Sequence, residues 1–227
     1  MHPTLEKLRG GLIVSCQAQP HSPVYGGKFM AAFARCAELG GAVAIRANGA
    51  RDVRAVRGAV SLPIIGINKR RGTRYPVYIT PTFASARQVV RAGAEIVALD
   101  ATRRPRQGGL APEVLIKRIR EELGVLVMAD IDTVEAALAA EAAGAEMIAT
   151  TLAGYTEGRA RSAGADLALV SELAARLHVP VICEGRLATP EDVRAAFSAG
   201  AYAVVVGTAI TNPTAITRTF VAALPKG

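Results

Sequence analysis

Five side chains in this sequence could carry a charge or a proton at the point where an apolar run stops: Arg46, Lys69, Asp100, Asp130 and Glu184. They close the phrases "GAVAIR", "IIGINK", "EIVALD", "VLVMAD" and "PVICE". A lysine carried into a poorly solvated mouth loses hydration, which lowers its pKa toward the range of a general base. A carboxylate in the same mouth can take part in the matching proton transfer. Three further runs end in Gln17, in Thr150 with Thr151, and in Gly207 with Thr208, while Gly185 follows Glu184. Each residue also has a plainer reading. Lys69 beside Arg70 and Arg71 could be a solvated loop lysine, and Glu184 a salt-bridge partner of Lys69 or Arg46. Arg46 could clamp a substrate oxygen or pair with an acid, and Gln17 could orient a hydroxyl or amide with its paired donor and acceptor. Asp100 could tie down the arginine-rich loop that follows it. Asp132 with Thr133 opens a helix and reads as an N-cap, which leaves Asp130 as the site candidate.

These residues need a scaffold that brings distant strand ends together. The phrases "GGAVAIRA", "AGAEIVALD", "AGAEMIATT" and "AGAYAVVVGT" each place a glycine at a helix end before a short apolar strand. Between them stand "GGLIVSCQ", "LPIIGINK", "GVLVMADI" and "VPVICEG", which makes eight strands. They are continuous apolar runs, as expected of parallel strands covered on both faces. Helical patterns separate them, most clearly over 132–144, 165–177 and 189–200. The last has Thr189 as N-cap, Pro190 at its first position and two acids in its first turn.

Eight βα repeats in 227 residues, with no composition break, predict an α/β fold with residues 1–227 forming a single (β/α)8 TIM barrel domain. An open doubly wound sheet is the alternative, but no G-x-G-x-x-G follows any strand. In such a barrel the active site lies at the C-terminal ends of the strands, where all the polar ends converge. The barrel also supplies a phosphate cradle without a lysine motif, from backbone N–H groups after strands seven and eight and a short helix N-terminus. Gly185 and Arg186 in "EGR", with Gly207 and Thr208 in "VGTAITNP", have that form. "TAIT" makes the short helix before Asn212 and Pro213 begin the final one.

Composition narrows the partners. A net charge of +8 suits nucleic acid, an anionic membrane or an anionic small molecule. Only 4% of residues are aromatic and Trp is absent, so the stacking platforms of single-strand binders are missing. The clusters Arg70, Arg71, Arg74 and Arg103, Arg104, Arg106 read as loop charges. Cys16, Cys36 and Cys183 are widely spaced and odd in number, with no metal spacing, which predicts no metal site and a reduced, cytoplasmic setting. "LIVSC" at 12–16 is too short for an export signal, and no apolar run approaches the roughly 18 residues that cross a bilayer. His2, His21 and His178 are poor catalytic candidates, being terminal, in a loop, and before strand seven at the far end.

Taken in order, "GLIVSCQA", "GAVAIRANG", "LPIIGINKR", "YITPTF", "VALDATRRPRQ", "VMADI", "TTLAGYT", "VICEGR" and "VVGTAIT" resemble the N-acetylmannosamine-6-phosphate 2-epimerases of bacterial sialic-acid catabolism. The resemblance runs from about residue 8 to the C-terminus. It implies interconversion of N-acetylmannosamine 6-phosphate and N-acetylglucosamine 6-phosphate without metal or organic cofactor, in a homodimer that binds neither nucleic acid nor membrane. It implies Lys69 as the residue that takes and returns the C2 proton, Glu184 as its catalytic partner, and Gln17, Arg46 and Asp130 as sugar contacts. One departure stands out: the family commonly has Arg where this chain has Asn212, and that arginine meets the phosphate. Arg186 or Arg218 could supply the charge instead. Two other readings share the residues: a class I aldolase-like barrel in which Lys69 forms a Schiff base, and a basic nucleic-acid-binding or scaffolding barrel.

Overall fold

Every one of the eight apolar runs becomes a parallel strand, and the strands close on themselves in chain order, β1 pairing with both β2 and β8 in the computed structural model, which describes residues 2–225. A short α1 (Pro3–Leu8) precedes β1 (Leu12–Cys16). The alternation then runs α2 (Gly27–Leu39), β2 (Ala44–Asn48), α3 (Gly49–Arg57), β3 (Ile64–Ile67), α4 (Phe83–Arg91), β4 (Ile96–Asp100), α5 (Pro112–Leu123) and β5 (Leu126–Asp130). It continues through α6 (Val134–Ala142), β6 (Met147–Ala149), α7 (Leu167–Arg176), β7 (Val181–Glu184), α8 (Pro190–Ser198) and β8 (Ala203–Val206), and ends in α9 (Thr208–Thr211) and α10 (Pro213–Ala222).

The two-residue period of a strand sorts its side chains between two cores. Ile45, Val97, Val127, Ile148, Cys183 and Val204 face outward and pack beneath the helices. Ala44, Ile65, Ile67, Ile96, Met128, Met147, Ile182 and Val205 face inward and fill the barrel. The same parity carries Arg46, Lys69, Asp130 and Glu184 to the inside, one step above these apolar layers. At the opposite end α1 acts as a plug: Leu5 and Leu8 join the inner cluster, and the Tyr202 hydroxyl donates to the Leu5 carbonyl at 2.9 Å.

Local signals fall largely where the sequence puts them. Thr189 caps α8 in a full capping box with Asp192, and "TAIT" is the short α9. The cap of α6 is a correction: Thr133, and not Asp132, accepts from the Ala136 N–H, while Asp132 accepts from the Thr156 hydroxyl at 2.6 Å. Gly66 on β3 is required by packing, since a Cβ there would sit 2.7 Å from Ala94 Cβ and 2.9 Å from Val89 Cβ.

The β3–β4 seam carries an inserted segment: Ile65 pairs with Ile96 and Gly66 with Val97, and above them residues 78–80 wedge in. Arg70 N–H donates to Tyr78 O, Thr80 N–H to Asn68 O and Asp100 N–H to Ile79 O, which bridges Lys69 antiparallel to Ile79. Thr80 holds a left-handed φ of 44° and donates its hydroxyl to Ala98 O at 2.6 Å. This wedge fixes the backbone of Lys69 from one side. Asn48 fixes it from the other, accepting the Lys69 N–H at 2.9 Å.

Candidate active site

The barrel mouth is organised around one guanidinium. Arg46, at the inward-facing third position of β2, is 1% exposed and reaches across the barrel. Its two terminal nitrogens meet Asp130 Oδ1 and Oδ2 at 3.0 and 2.6 Å, and Nη1 also donates to Glu184 Oε2 at 2.8 Å. Thr151 Oγ1 closes the cage from the loop after β6, 2.7 Å from Asp130 Oδ1 and 3.0 Å from Glu184 Oε2. Burial by itself would lower the Arg46 pKa, but the charges of Asp130 and Glu184 outweigh it and hold the value above the ordinary one. Arg46 is therefore a fixed cation, and both acids are tied to it.

Lys69 stands beside this cage without joining it: no carboxylate among the described residues forms a salt bridge with its amine. Its pKa is pulled from 10.5 down to about 8, first by burial and then by the positive charges of Arg46 and Arg71. Glu184 moves the other way. Burial raises its pKa, Arg46 opposes that rise, and the Asp130 charge adds to it. A base and an acid with displaced affinities thus share one mouth, an arrangement suited to moving a proton off carbon and onto oxygen.

Two buried side-chain atoms in the described residues lack any partner, Gln17 Oε1 and Arg46 Nε. Both belong to predicted substrate contacts. Gln17 spends its amide nitrogen on Ser15 Oγ at 2.7 Å and leaves the oxygen open. Buried polar atoms are nearly always satisfied, so these two orphans are open hydrogen-bonding positions.

The remaining predicted residues divide. Gly185, with φ 113°, and Arg186, with φ 58°, turn the chain sharply after β7. A Cβ on Gly185 would meet nothing closer than Thr151 O and the Tyr155 ring at 3.9 Å, so its face is not crowded. Gly207 opens α9, with Thr208 at its first position. The Arg186 side chain is committed elsewhere: its nitrogens donate to Gly164 O, Ala153 O and Ser162 Oγ, pinning the loop between β6 and α7. Asn212 caps α10, its side chain accepting the Ala215 N–H at 3.1 Å. Asp100 ties down its own loop through Thr102 and Arg104, as one of its two readings predicts. Burial pushes Cys16 up to about 12 and Cys183 up to about 11, which suits core residues and not nucleophiles. Among the described residues no group of three or more His, Cys, Asp and Glu could hold a metal ion, and no helix is long and apolar enough to cross a membrane.

Sequence reasoning named Thr151 only as a polar strand end, without a role, and passed over Tyr78 and Arg71 as site members. Thr151 was legible from parity, since Met147 and Ala149 face inward on β6 and 151 continues the series. Tyr78 and Arg71 were not, because the wedge that brings them in reads as a loop. The Arg71 guanidinium stacks 4.4 Å from the Tyr78 ring centre, and that places its charge near Lys69.

Residues 30–226 match the NanE family, described as "Putative N-acetylmannosamine-6-phosphate epimerase". A relative from Caldanaerobacter subterraneus subsp. tengcongensis with that description, as a 2-epimerase, is 50% identical over 96% of this chain and 92% of its own length. One from Cutibacterium acnes is 49% identical over 95% of this chain and 94% of its own. Among solved structures, the N-acetylmannosamine-6-phosphate 2-epimerase from Clostridium perfringens superposes with a TM-score of 0.94 at 42% identity, covering 98% of this chain and 97% of that one. Thiamine phosphate pyrophosphorylase from Pyrococcus furiosus shares the barrel, with a TM-score of 0.63 over 94% and 92% of the two chains, at 17% identity.

Proposed function

The chain belongs to the N-acetylmannosamine-6-phosphate epimerase family, and on that premise we propose that it interconverts N-acetyl-D-mannosamine 6-phosphate and N-acetyl-D-glucosamine 6-phosphate by moving the C2 proton. Inversion at C2 of an open-chain aldose removes a proton beside a carbonyl, so it needs an unprotonated base at C2 and charge stabilisation at O1. Lys69 takes the C2 proton and returns it to the opposite face of C2. Glu184 gives O1 a proton as the enediol forms and recovers it as the carbonyl is restored, and Arg46 stabilises the charge that develops there. The observation that carries this reading is the placement of Lys69, with its lowered pKa, beside a buried Arg46–Asp130–Glu184 cage.

Charge balance supports the same roles. Arg46 offsets Asp130; a neutral Lys69 with a protonated Glu184, or the ammonium with the carboxylate, both leave the cage without net charge. Proton transfer between the two states therefore exposes no unbalanced buried charge. Gln17 Oε1 and Arg46 Nε are the free groups that meet the sugar. The phosphate rests on the backbone at Gly185, Arg186, Gly207 and Thr208, whose N–H groups line the turn after β7 and the start of α9. The excess of eight positive charges draws the anionic substrate in.

The same reading places the enzyme in the cytoplasm, in amino-sugar and sialic acid breakdown, as a homodimer and without a nucleic-acid partner. The homodimer is supported by α10, which has no buried residue, and by Ile210, Phe220, Val221 and Leu224, which are exposed around it. Exposed apolar side chains near a helix without a buried face suit pairing with a second copy, and Phe220→Glu, followed by sedimentation, distinguishes a dimer built on them from a monomer. The reaction is tested in deuterated water. Turnover of N-acetylmannosamine 6-phosphate should place deuterium at C2 of both epimers, and product formed without solvent deuterium would rule out the proton-transfer route.

A further inference from the structure

Asp130 and Glu184 are two buried acids that share one arginine, so which of them holds a proton decides what the site can do. Thr151 touches both. A threonine hydroxyl owns a single proton and two lone pairs, so it cannot donate fully to two carboxylates at once. The shorter contact, 2.7 Å to Asp130 Oδ1, takes the proton. A lone pair of Oγ1 is then left facing Glu184 Oε2 at 3.0 Å, where an ionised carboxylate would oppose lone pair with lone pair. A carboxyl group that carries its proton fits there instead.

Arg46 has the same bias. It gives Asp130 a bidentate pair at 3.0 and 2.6 Å and gives Glu184 only one bond, at 2.8 Å to Oε2. Oε1 of Glu184 has no partner among the described residues. We propose that Thr151 is a positioning residue that commits its hydroxyl proton to Asp130 and thereby makes Glu184 the acid of the pair. The inference rests on the epimerase reading for its catalytic meaning, but the proton placement itself does not.

The groups facing Glu184 are Arg46 from β2, Lys69 beyond β3, Asp130 from β5 and Thr151 beyond β6, so the test has to remove the Thr151 hydroxyl alone. Thr151→Val does this with little change of volume; Thr151→Ser keeps the hydroxyl. With glutamate carboxyl carbons labelled with 13C, and Glu184→Gln used to identify the signal, the Glu184 titration midpoint should fall by about one unit in Thr151→Val, the worth of one hydrogen bond. It should return in Thr151→Ser. Turnover should fall roughly tenfold in the valine variant with KM within about twofold, and recover in the serine variant. A midpoint that rises in Thr151→Val would mean that the hydroxyl donates to Glu184, and an unchanged midpoint that it assigns nothing; either overturns the proposal, as does a serine variant that behaves like valine. Thr151→Ala gives the same reading should the valine variant fold poorly. A wild-type protein that titrates as expected yet does not epimerise would sink the functional reading and leave the assignment of Thr151 standing.

Discussion

Replacing Lys69 by methionine should abolish turnover and make the protein more stable, by an amount that depends on pH. The folded-state pKa of Lys69 is near 8 against 10.5 for the free side chain. Between those values the unfolded chain binds more protons than the native one, so wild-type stability rises with pH across that window. Below pH 8 the native state carries the whole penalty of holding the amine among Arg46, Arg71 and apolar surface. Linkage puts that penalty at about 3 kcal/mol at pH 7 and about 2 kcal/mol at pH 9, vanishing above the unfolded pKa. The side chain is half-buried, so these are upper values. A methionine side chain at this position cannot titrate and has no such penalty. At fixed protein concentration, Lys69→Met should therefore melt roughly 6–12 °C above wild type at pH 7. The stability gap, read by urea titration, should narrow by about 1 kcal/mol at pH 9. A constant gap across pH would attribute the gain to packing and refute the idea that a charge is being held out of water. A variant less stable than wild type at pH 7 would refute it outright.

Four other outcomes follow from the geometry. The wild-type kcat/KM should climb with pH toward a midpoint near 8 as Lys69 loses its proton; a profile flat from pH 6 to 9 would remove Lys69 as the base. Arg46→Met leaves Asp130 buried without its cation and should cost about 3–5 kcal/mol in urea titration; a loss below about 1 kcal/mol would show that the pair is dispensable to the fold. Gly66→Ala should destabilise by about 1–3 kcal/mol, since Ala94 and Val89 have to give way and the β3–α4 contact is tight. Asn212→Ala should lose about 1 kcal/mol of cap while KM for the sugar phosphate shifts less than twofold, because the side chain is spent on Ala215 N–H.

The barrel was legible because each strand is a near-continuous apolar run that only a doubly covered sheet can bury, and because polar residues cluster at one end of those runs. Arg46, Asp130 and Glu184 were legible for the same reason, and their two readings turned out to be compatible: Glu184 is a salt-bridge partner of Arg46 and also part of the mouth. What could not be read was contact across the barrel. Nothing local to "PVICE" says that Glu184 binds Arg46 while Lys69 stays unpaired; that depends on strand order and side-chain length together. The wedge at residues 78–80 was hidden for a different reason. "YITPTF" has the proline and threonines of a loop, and its pairing with Asn68 and Asp100 is long-range. The plug α1 escaped because a six-residue helix has too short a period to register.

Arg46 also has a place in the order of assembly. It joins β2 to residues 84 and 138 positions further along the chain, so it meets both carboxylate partners only when more than half the polypeptide has been drawn into the ring. Closing loops of that length has an entropic cost that must be met before any contact rewards it. A half-formed sheet can bury its apolar strands pairwise, but it has nowhere to hide this guanidinium. The cage therefore assembles only in a ring that has brought β2, β5 and β7 together, and the site exists only in that closed form.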